Sequence, residues 1–438
     1  MHDLKIILLN IEQLRPRAGN PRTHTRRQKE QIAKAIKRFG FTVPVLIDET
    51  GTILAGHARV EAARMNGMTE VPTIRLEDMS EADKRAYVIA DNQLALKAGW
   101  NEELLKQELG FLVNLDFDFD PTITGFDMPE IEGILFGDAD HSKPDPDDVP
   151  TEPPPEPVTR SGDVWDIGRH RLICGDAREP STYETLLGEE KADCVFADPP
   201  YNLEVLGHVS GLGKTRHREF AMASGEMSED EFAKFLYQIF SLLTKHSIDG
   251  SIHFQCMDHR HMREMLNAGL AAYTELKNLV VWAKTNAGMG SLYRSAHELI
   301  FVFKSGRAPH VNNVELGKHG RWRSNVWSYP GANSFGAGRA QDLADHPTVK
   351  PVALVADALL DCSHRGSLIL DPFLGSGTTL LAAERTGRRG YGIEIDPIYC
   401  DTIIRRLRER AGVEATLAGR SFDEVAAERA AASLEDAA

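Results

Sequence analysis

Between Ser367 and Thr379 the chain reads SLILDPFLGSGTT. An apolar strand runs through Asp371-Pro372-Phe373 into Gly375-Ser376-Gly377, and a stretch with helical spacing opens at Thr378. Glycines at a strand-to-helix turn let the backbone come close to a ligand, and the helix start offers it free N–H groups. About twenty residues on, the strand RGYGIEID ends in Glu394 and Asp396. In dinucleotide-type α/β folds an acid at that distance grips ribose hydroxyls, and Glu394 has two acceptor oxygens for two vicinal hydroxyls. A glycine pair alone is weak evidence. Strand, loop, helix, strand and acid in this order point to an open α/β sheet.

The surroundings agree. Short β-rich runs (Asp193–Ala197, Ser251–Gln255, Leu279–Trp282, Leu299–Phe303, Ser367–Leu370, Arg389–Ile395) alternate with helical stretches. That pattern predicts a mostly parallel, Rossmann-like sheet with helices on both faces. The N-terminal part reads as a second, small α/β unit. It has a helix over Glu30–Phe39 stopped by Gly40, strands at Val43–Ile47, Thr52–Leu54 and Val71–Leu76, a helix over Ala58–Met65, and a helix capped by Ser80. Between the halves, residues 137–159 are rich in Pro and Asp and poor in apolar residues, as expected of an extended linker that does not pack. The expected division is therefore 1–136, linker 137–159, 160–415, and an Ala/Glu-rich tail over 416–438. Residues from Val158 onward hold every chemical motif, so the halves are expected to separate.

The run Ala192–Tyr201, ADCVFADPPY, ends an apolar strand in Asp198-Pro199-Pro200-Tyr201. Consecutive prolines fix the backbone just after a buried strand and turn the Asp side chain and nearby carbonyls toward the crevice at the strand's carboxyl end. Tyr201 adds a flat aromatic surface. Two acceptors and a ring suit an exocyclic amine on a nucleobase.

These residues resemble the amino-methyltransferases that modify DNA. Asp198–Tyr201 matches the family's catalytic motif and Asp371–Gly377 its cofactor loop. His346-Pro347-Thr348-Val349-Lys350-Pro351 is similar to the segment that closes the methionine side of the cofactor site. The order, catalytic motif before cofactor loop, resembles the β subgroup. The resemblance implies a Rossmann-like methyltransferase fold, S-adenosylmethionine as cofactor, and double-stranded DNA as substrate with the target base flipped out. It implies catalysis by Asp198, Pro199, Pro200 and Tyr201. Asp176, His346, Lys350, Asp371, Phe373, Gly375, Ser376, Gly377, Thr378 and Glu394 would bind the cofactor, with Asp176 near its adenine. His297-Glu298 would lie near the target base. Asp at position 198 points to N6 of adenine, because the cytosine-N4 subgroup tends to carry Ser there.

Residues 4–110 resemble the ParB/sulfiredoxin-like domain through Asn20-Pro21-Arg22, Gly40–Ile47, Ile53–Ala63 and Lys84–Asn92. That family's Gly-x-x-Arg segment, here Gly56-His57-Ala58-Arg59, implies a nucleotide or DNA phosphate as ligand. The double-Arg form and the sulfiredoxin cysteine are both absent. A ParB-like segregation protein with an inactive methylase half is the competing reading, and the intact Asp198–Tyr201 and Gly375–Gly377 weigh against it.

The formal net charge of −15 speaks against nucleic acid only if acid lies on the binding face. Acid gathers in Asp138–Glu156 and near the C-terminus, whereas Lys214, Arg216 and Arg218, directly after the catalytic motif, and Arg321 and Arg323 in RWRSNVWSY are candidate DNA contacts. Five dispersed cysteines, no signal peptide and no long apolar run predict a cytoplasmic protein without a membrane partner, and a homodimer is compatible with the sequence. No Cys follows Pro, against carbon-5 cytosine chemistry, and no metal motif is present.

Overall fold

The computed structural model describes residues 4–115, 119–137, 145–149, 151, 153–202, 226–285, 292–316, 323–331 and 350–436. The chain forms two compact units, Met1–Asp138 and Ala139–Ala438.

In the first unit the elements are β1 (Ile6–Asn10), α1 (Arg26–Phe39), β2 (Val45–Asp48), β3 (Ile53–Ala55), α2 (His57–Met65), β4 (Glu70–Leu76), α3 (Glu81–Leu96), α4 (Glu102–Val113) and α5 (Met128–Phe136). The Thr25 side chain accepts from Gln28 N at the start of α1, and Gly40 ends it at φ 79°, a conformation that favours glycine. Ser80 caps α3 through the Asp83 N–H. The sheet order is β1-β4-β2-β3, with β2 parallel to β4 and the other pairs antiparallel. Ile11, Leu14, Val45, Ile47, Val60 and Val71 form its core. β1 was not foreseen, because its exposed Ile6 and Leu8 give no alternation. Leu109, Val113 and Ile131 pack α4 and α5 into a separate small cluster.

The second unit contains β5 (Val164–Ile167), β6 (His170–Cys174), α6 (Pro180–Leu187), β7 (Ala192–Ala197), α7 (Glu229–Lys245), β8 (Ser247–Met257), α8 (Met262–Ala272), β9 (Glu275–Lys284), β10 (His297–Lys304), β11 (Val326–Tyr329), α9 (Val352–Cys362), β12 (Leu368–Asp371), α10 (Thr378–Arg385), β13 (Arg389–Glu394), α11 (Pro397–Ala411), β14 (Ala415–Leu417), β15 (Arg420–Ser421) and α12 (Phe422–Asp436). They build one sheet in the order β11-β9-β10-β8-β7-β12-β13-β6-β5-β14-β15. The five central strands, β8-β7-β12-β13-β6, are parallel. The wings carry the antiparallel pairs.

Alternation along the central strands fills both faces, as a parallel sheet requires. On β7, Cys194 and Phe196 join one core with Leu354, Leu380 and Ile403, while Val195 and Ala197 join the other with Tyr183, Phe232 and Phe240. With all central strands parallel, their carboxyl ends lie along one edge, where α/β folds bind ligands.

Two expectations are corrected. The segment over 137–159 does not stand off as a linker: from Asp145 on, its described residues fasten to the second unit. Arg385 donates to Asp145 Oδ2 at 2.5 Å and to Asp147 Oδ2 at 2.5 Å. Arg406 donates to the Asp147 carbonyl at 2.6 Å, and Asp148 Oδ1 accepts from Val352 N at 2.7 Å, capping α9. Thr159 hydrogen-bonds Asp401 through its amide and its hydroxyl. Local composition marks the segment as unable to collapse, but arginines more than two hundred residues away neutralise it. The tail over 416–438 is likewise part of the domain. β14 pairs with β5, Phe422 and Val425 are buried in the core, and Arg429 pairs with Asp163.

Candidate active site

β7 delivers Asp198 to the carboxyl edge, and Pro199 and Pro200 end the strand there. Tyr201 OH donates to Asp198 Oδ1 at 2.9 Å and lies 3.2 Å from Glu298 Oε2. Glu298 arrives on β10, which runs antiparallel to β8, so its start lies at the same edge as the end of β8. Lys284, at the end of β9, donates to Glu298 Oε1 at 2.5 Å. Lys350, just before α9, donates to Asp198 Oδ2 at 2.6 Å and lies 3.0 Å from Glu298 Oε2. Its ammonium is 5.5 Å from the Tyr201 ring centre and 5.9 Å from that of Trp282. Two carboxylates and two ammonium groups thus balance in a pocket walled by aromatic rings.

Burial pushes the Asp198 carboxyl up from its ordinary range, Lys350 opposes that, and Glu298 adds to it. Burial would raise Glu298 too, but Lys350 and Lys284 hold it down to about 2. The Lys350 ammonium is held charged, since its two carboxylate partners outweigh burial.

On the neighbouring strands lies the second half of the site. Asp371, at the end of β12, staples the loop after it by accepting from Phe373 N at 2.9 Å and from the Thr379 hydroxyl at 2.5 Å. Glu394, at the end of β13 and 8% exposed, accepts from Gly375 N at 2.8 Å and from Asp396 N at 2.9 Å. Arg406 donates to the Ser376 carbonyl and hydroxyl, both at 2.9 Å, and lies 3.3 Å from the Thr378 hydroxyl. The Phe373 ring stands 6.2 Å from that of Phe235. Gly377 caps α10 at φ 83°, with Ile403 3.0 Å from where a Cβ would stand. Gly375 has φ 51°, and a Cβ there would meet nothing within 4 Å. The loop therefore faces open space over a buried carboxylate, which fits a ligand carrying a vicinal diol.

Burial raises Glu394 to about 7, with the amides of Asp396 and Gly375 opposing it, and raises Asp371 to about 7. Folding accordingly favours the protonated acids. Their contribution to stability is full below about pH 4 and is lost as pH rises through about 7. Binding has the opposite sign. A diol donates to the ionised form, so affinity for the diol-bearing cofactor should rise about tenfold between pH 6 and pH 8 if only that form binds. Calorimetry across this range checks it, and Glu394→Gln should bind more weakly with a flat profile.

The edge gathers Asp176, Asp198, Tyr201, Asp371 and Glu394 as the sequence suggested. Asp176 follows β6 and is held by the Arg178 guanidinium, with Nη2 2.6 Å from Oδ2. Lys350, expected on the methionine side, has its ammonium on Asp198 instead. Lys284 was missed, its only signal being a lysine that ends an apolar strand. Asn202 was missed as well. At φ 50° it donates to the Met227 carbonyl at 2.7 Å. Arg323 is not a free DNA contact. Asp357 and Asp361 on α9 each lie 2.7 Å from its guanidinium, which sits 4.7 Å from the Trp327 ring centre. His346, Lys214, Arg216, Arg218 and Arg321 lie outside the described residues. Among the described residues no group of three or more His, Cys, Asp or Glu is arranged to hold a metal ion, and no helix is long and apolar enough to cross a membrane.

The first unit holds a cavity of about 380 Å³ lined by Asn20, Arg22, His24, Gly56, Arg59 and Asn92. Gly56, at φ 108°, opens α2. Arg59 lies across the floor, donating to the Val43 carbonyl at 2.8 Å and the Pro44 carbonyl at 3.2 Å.

Comparison with known proteins separates the same parts. Residues 192–405 match the DNA methylase family, 2–93 the ParB N-terminal domain, and 103–161 the ParB-methyltransferase HTH domain. The helix-turn-helix match was not foreseen, and it includes the acidic segment. ParB-like nuclease domain-containing protein YnaK of Escherichia coli is 48% identical over 82 residues, 19% of this chain and 94% of that protein. Type II methyltransferase M2.DpnII of Streptococcus pneumoniae is 29% identical over 237 residues, 50% of this chain and 83% of that protein. DNA adenine methyltransferase YhdJ of Escherichia coli is 26% identical over 247 residues, 50% of this chain and 76% of that protein.

Proposed function

We propose, from the premise that the chain belongs to the DNA methylase family and carries a ParB-type N-terminal domain, that it methylates N6 of adenine in DNA. It is a DNA methyltransferase, its macromolecular partner is DNA and its cofactor is S-adenosylmethionine. The carboxylate at position 198 carries the choice of adenine, and a relative named as an adenine methyltransferase supports it.

The target amine is a weak nucleophile, because its lone pair is conjugated into the base. Asp198 and the Pro199 carbonyl accept its two N–H groups and localise the lone pair as it attacks. Pro200 fixes the backbone, and Tyr201 stacks on the base, offsetting part of the few kcal/mol that flipping costs. S-adenosylmethionine supplies a methyl group on a positive sulfonium. Glu394 accepts the cofactor's ribose hydroxyls over the loop from Gly375 to Thr378, Asp371 and Phe373 shape that loop, and Asp176 faces the cofactor's adenine. The amine nitrogen gains the methyl group and loses one proton toward Asp198. DNA from cells expressing the protein should resist nucleases blocked by N6-methyladenine, and full cutting would overturn the reading.

The cavity in the first unit suits a phosphate, from DNA or a nucleotide, with Arg22 and Arg59 as cations. A cytoplasmic homodimer fits the free cysteines and the ParB-type domain. Arg22→Ala should weaken DNA binding and reduce the log–log salt slope by about one unit if the ligand is a DNA phosphate. An unchanged slope with lost nucleoside triphosphate binding would identify a nucleotide.

A further inference from the structure

We propose that Lys350 is a positioning residue for methyl transfer, holding Asp198 as a charged acceptor and ceding one carboxylate oxygen to the incoming amine. This rests on Asp198 being the amine's acceptor, as argued above. Both Asp198 oxygens are already engaged, Oδ1 by Tyr201 at 2.9 Å and Oδ2 by Lys350 at 2.6 Å. Lys350 thus occupies the position an amine must take. It can leave without being stranded, because Glu298 Oε2 at 3.0 Å and Tyr201 OH at 3.3 Å remain within its reach. Its side chain is 5% exposed, so water does not replace it in screening the carboxylate.

The charge arrangement makes Lys350 necessary. Facing Asp198 are Glu298 from β10, Tyr201 from its own segment and Asp371 from β12. Cys256 on β8 and Lys284 on β9 complete the surroundings of the Lys350–Glu298 pair. Burial keeps the Cys256 thiol and Tyr201 phenol protonated. Glu298 and burial both drive Asp198 toward its neutral form, and Lys350 is the cation in contact with it. A protonated Asp198 would present an O–H donor where the reaction needs an acceptor. Asp371 also titrates, but it belongs to the cofactor loop, so its effect falls on cofactor affinity and not on turnover at saturation.

The test is the pH dependence of turnover by the full chain, with DNA and S-adenosylmethionine saturating and cofactor affinity measured alongside. Lys350→Met should move the acid limb upward by about one unit or more, since an adjacent opposite charge is worth about 1–3 units. Turnover at pH 6 should fall about tenfold or more and largely recover at high pH. Lys350→Arg should keep the limb near its original position, and cofactor affinity should change less than about twofold. A uniform loss at every pH, or an unmoved limb with weakened cofactor binding, would overturn the inference. Should Lys350→Met fail to fold, Glu298→Gln probes the same balance with opposite sign: the limb must move down, and an unmoved limb is again contrary. No turnover by the unaltered chain on any DNA would reject the methyltransferase reading itself, and this inference with it.

Discussion

Asp198→Ala should lower methyl transfer by at least about 10²–10³-fold, the scale expected when one preorganised polar partner of the reacting group is removed. S-adenosylmethionine should still bind, because Asp198 touches Tyr201 and Lys350 and not the loop at Gly375. Asp198→Asn should lose less, since its amide oxygen keeps one acceptor at the same place. The fold should tolerate both, because Lys350 retains Glu298 at 3.0 Å and Glu298 retains Lys284. Labelled-methyl turnover and calorimetric cofactor affinity, measured on the same preparations, separate the two roles. Unchanged turnover in the alanine variant would remove Asp198 from the chemistry.

A fragment beginning at Ala139 should fold and methylate DNA, whereas one beginning at Val158 should be markedly less stable and bind cofactor more weakly. The shorter fragment loses Asp145, Asp147 and Asp148. That strips Arg385 of its carboxylates, removes the Asp147 carbonyl from Arg406, and leaves the first turn of α9 without its cap. Breaking a buried ion pair costs about 3–5 kcal/mol, which for a domain of this size lowers the melting temperature by roughly 10 °C. Cofactor binding suffers because Arg406 also holds Ser376 in the glycine loop. Thermal unfolding and calorimetry on the two fragments decide it. Equal melting temperatures would mean that the acidic segment is only a tether.

The parts of the site that the sequence made legible are those written within a few residues. Asp198–Tyr201 follows one apolar strand, and Gly375–Gly377 with Glu394 forms one strand–loop–helix–strand unit, so local patterning is enough. Contacts set by the topology were not legible. Lys350 reaches Asp198 across 152 positions, and the antiparallel wing that brings Glu298 and Lys284 to the edge could not be read from periodicity. Arg323 misled for the same reason. RWRSNVWSY has the composition of a nucleic-acid contact, but the aspartates that take its guanidinium lie 34 and 38 residues later, on α9. The acidic segment looked solvated because Arg385 and Arg406 are far away in sequence. The edge strands β5, β14 and β15 are too short to show a period.

The central claim is that the Asp198–Tyr201 site methylates N6 of adenine. Its most direct test incubates the purified full chain with unmethylated double-stranded DNA and deuterated-methyl S-adenosylmethionine, then digests the DNA to nucleosides for mass spectrometry. The expected product is deuterated N6-methyldeoxyadenosine, absent when Asp198→Ala replaces the unaltered chain. Deuterated N4-methyldeoxycytidine in its place, or label in the alanine variant equal to that in the unaltered chain, would contradict the assignment.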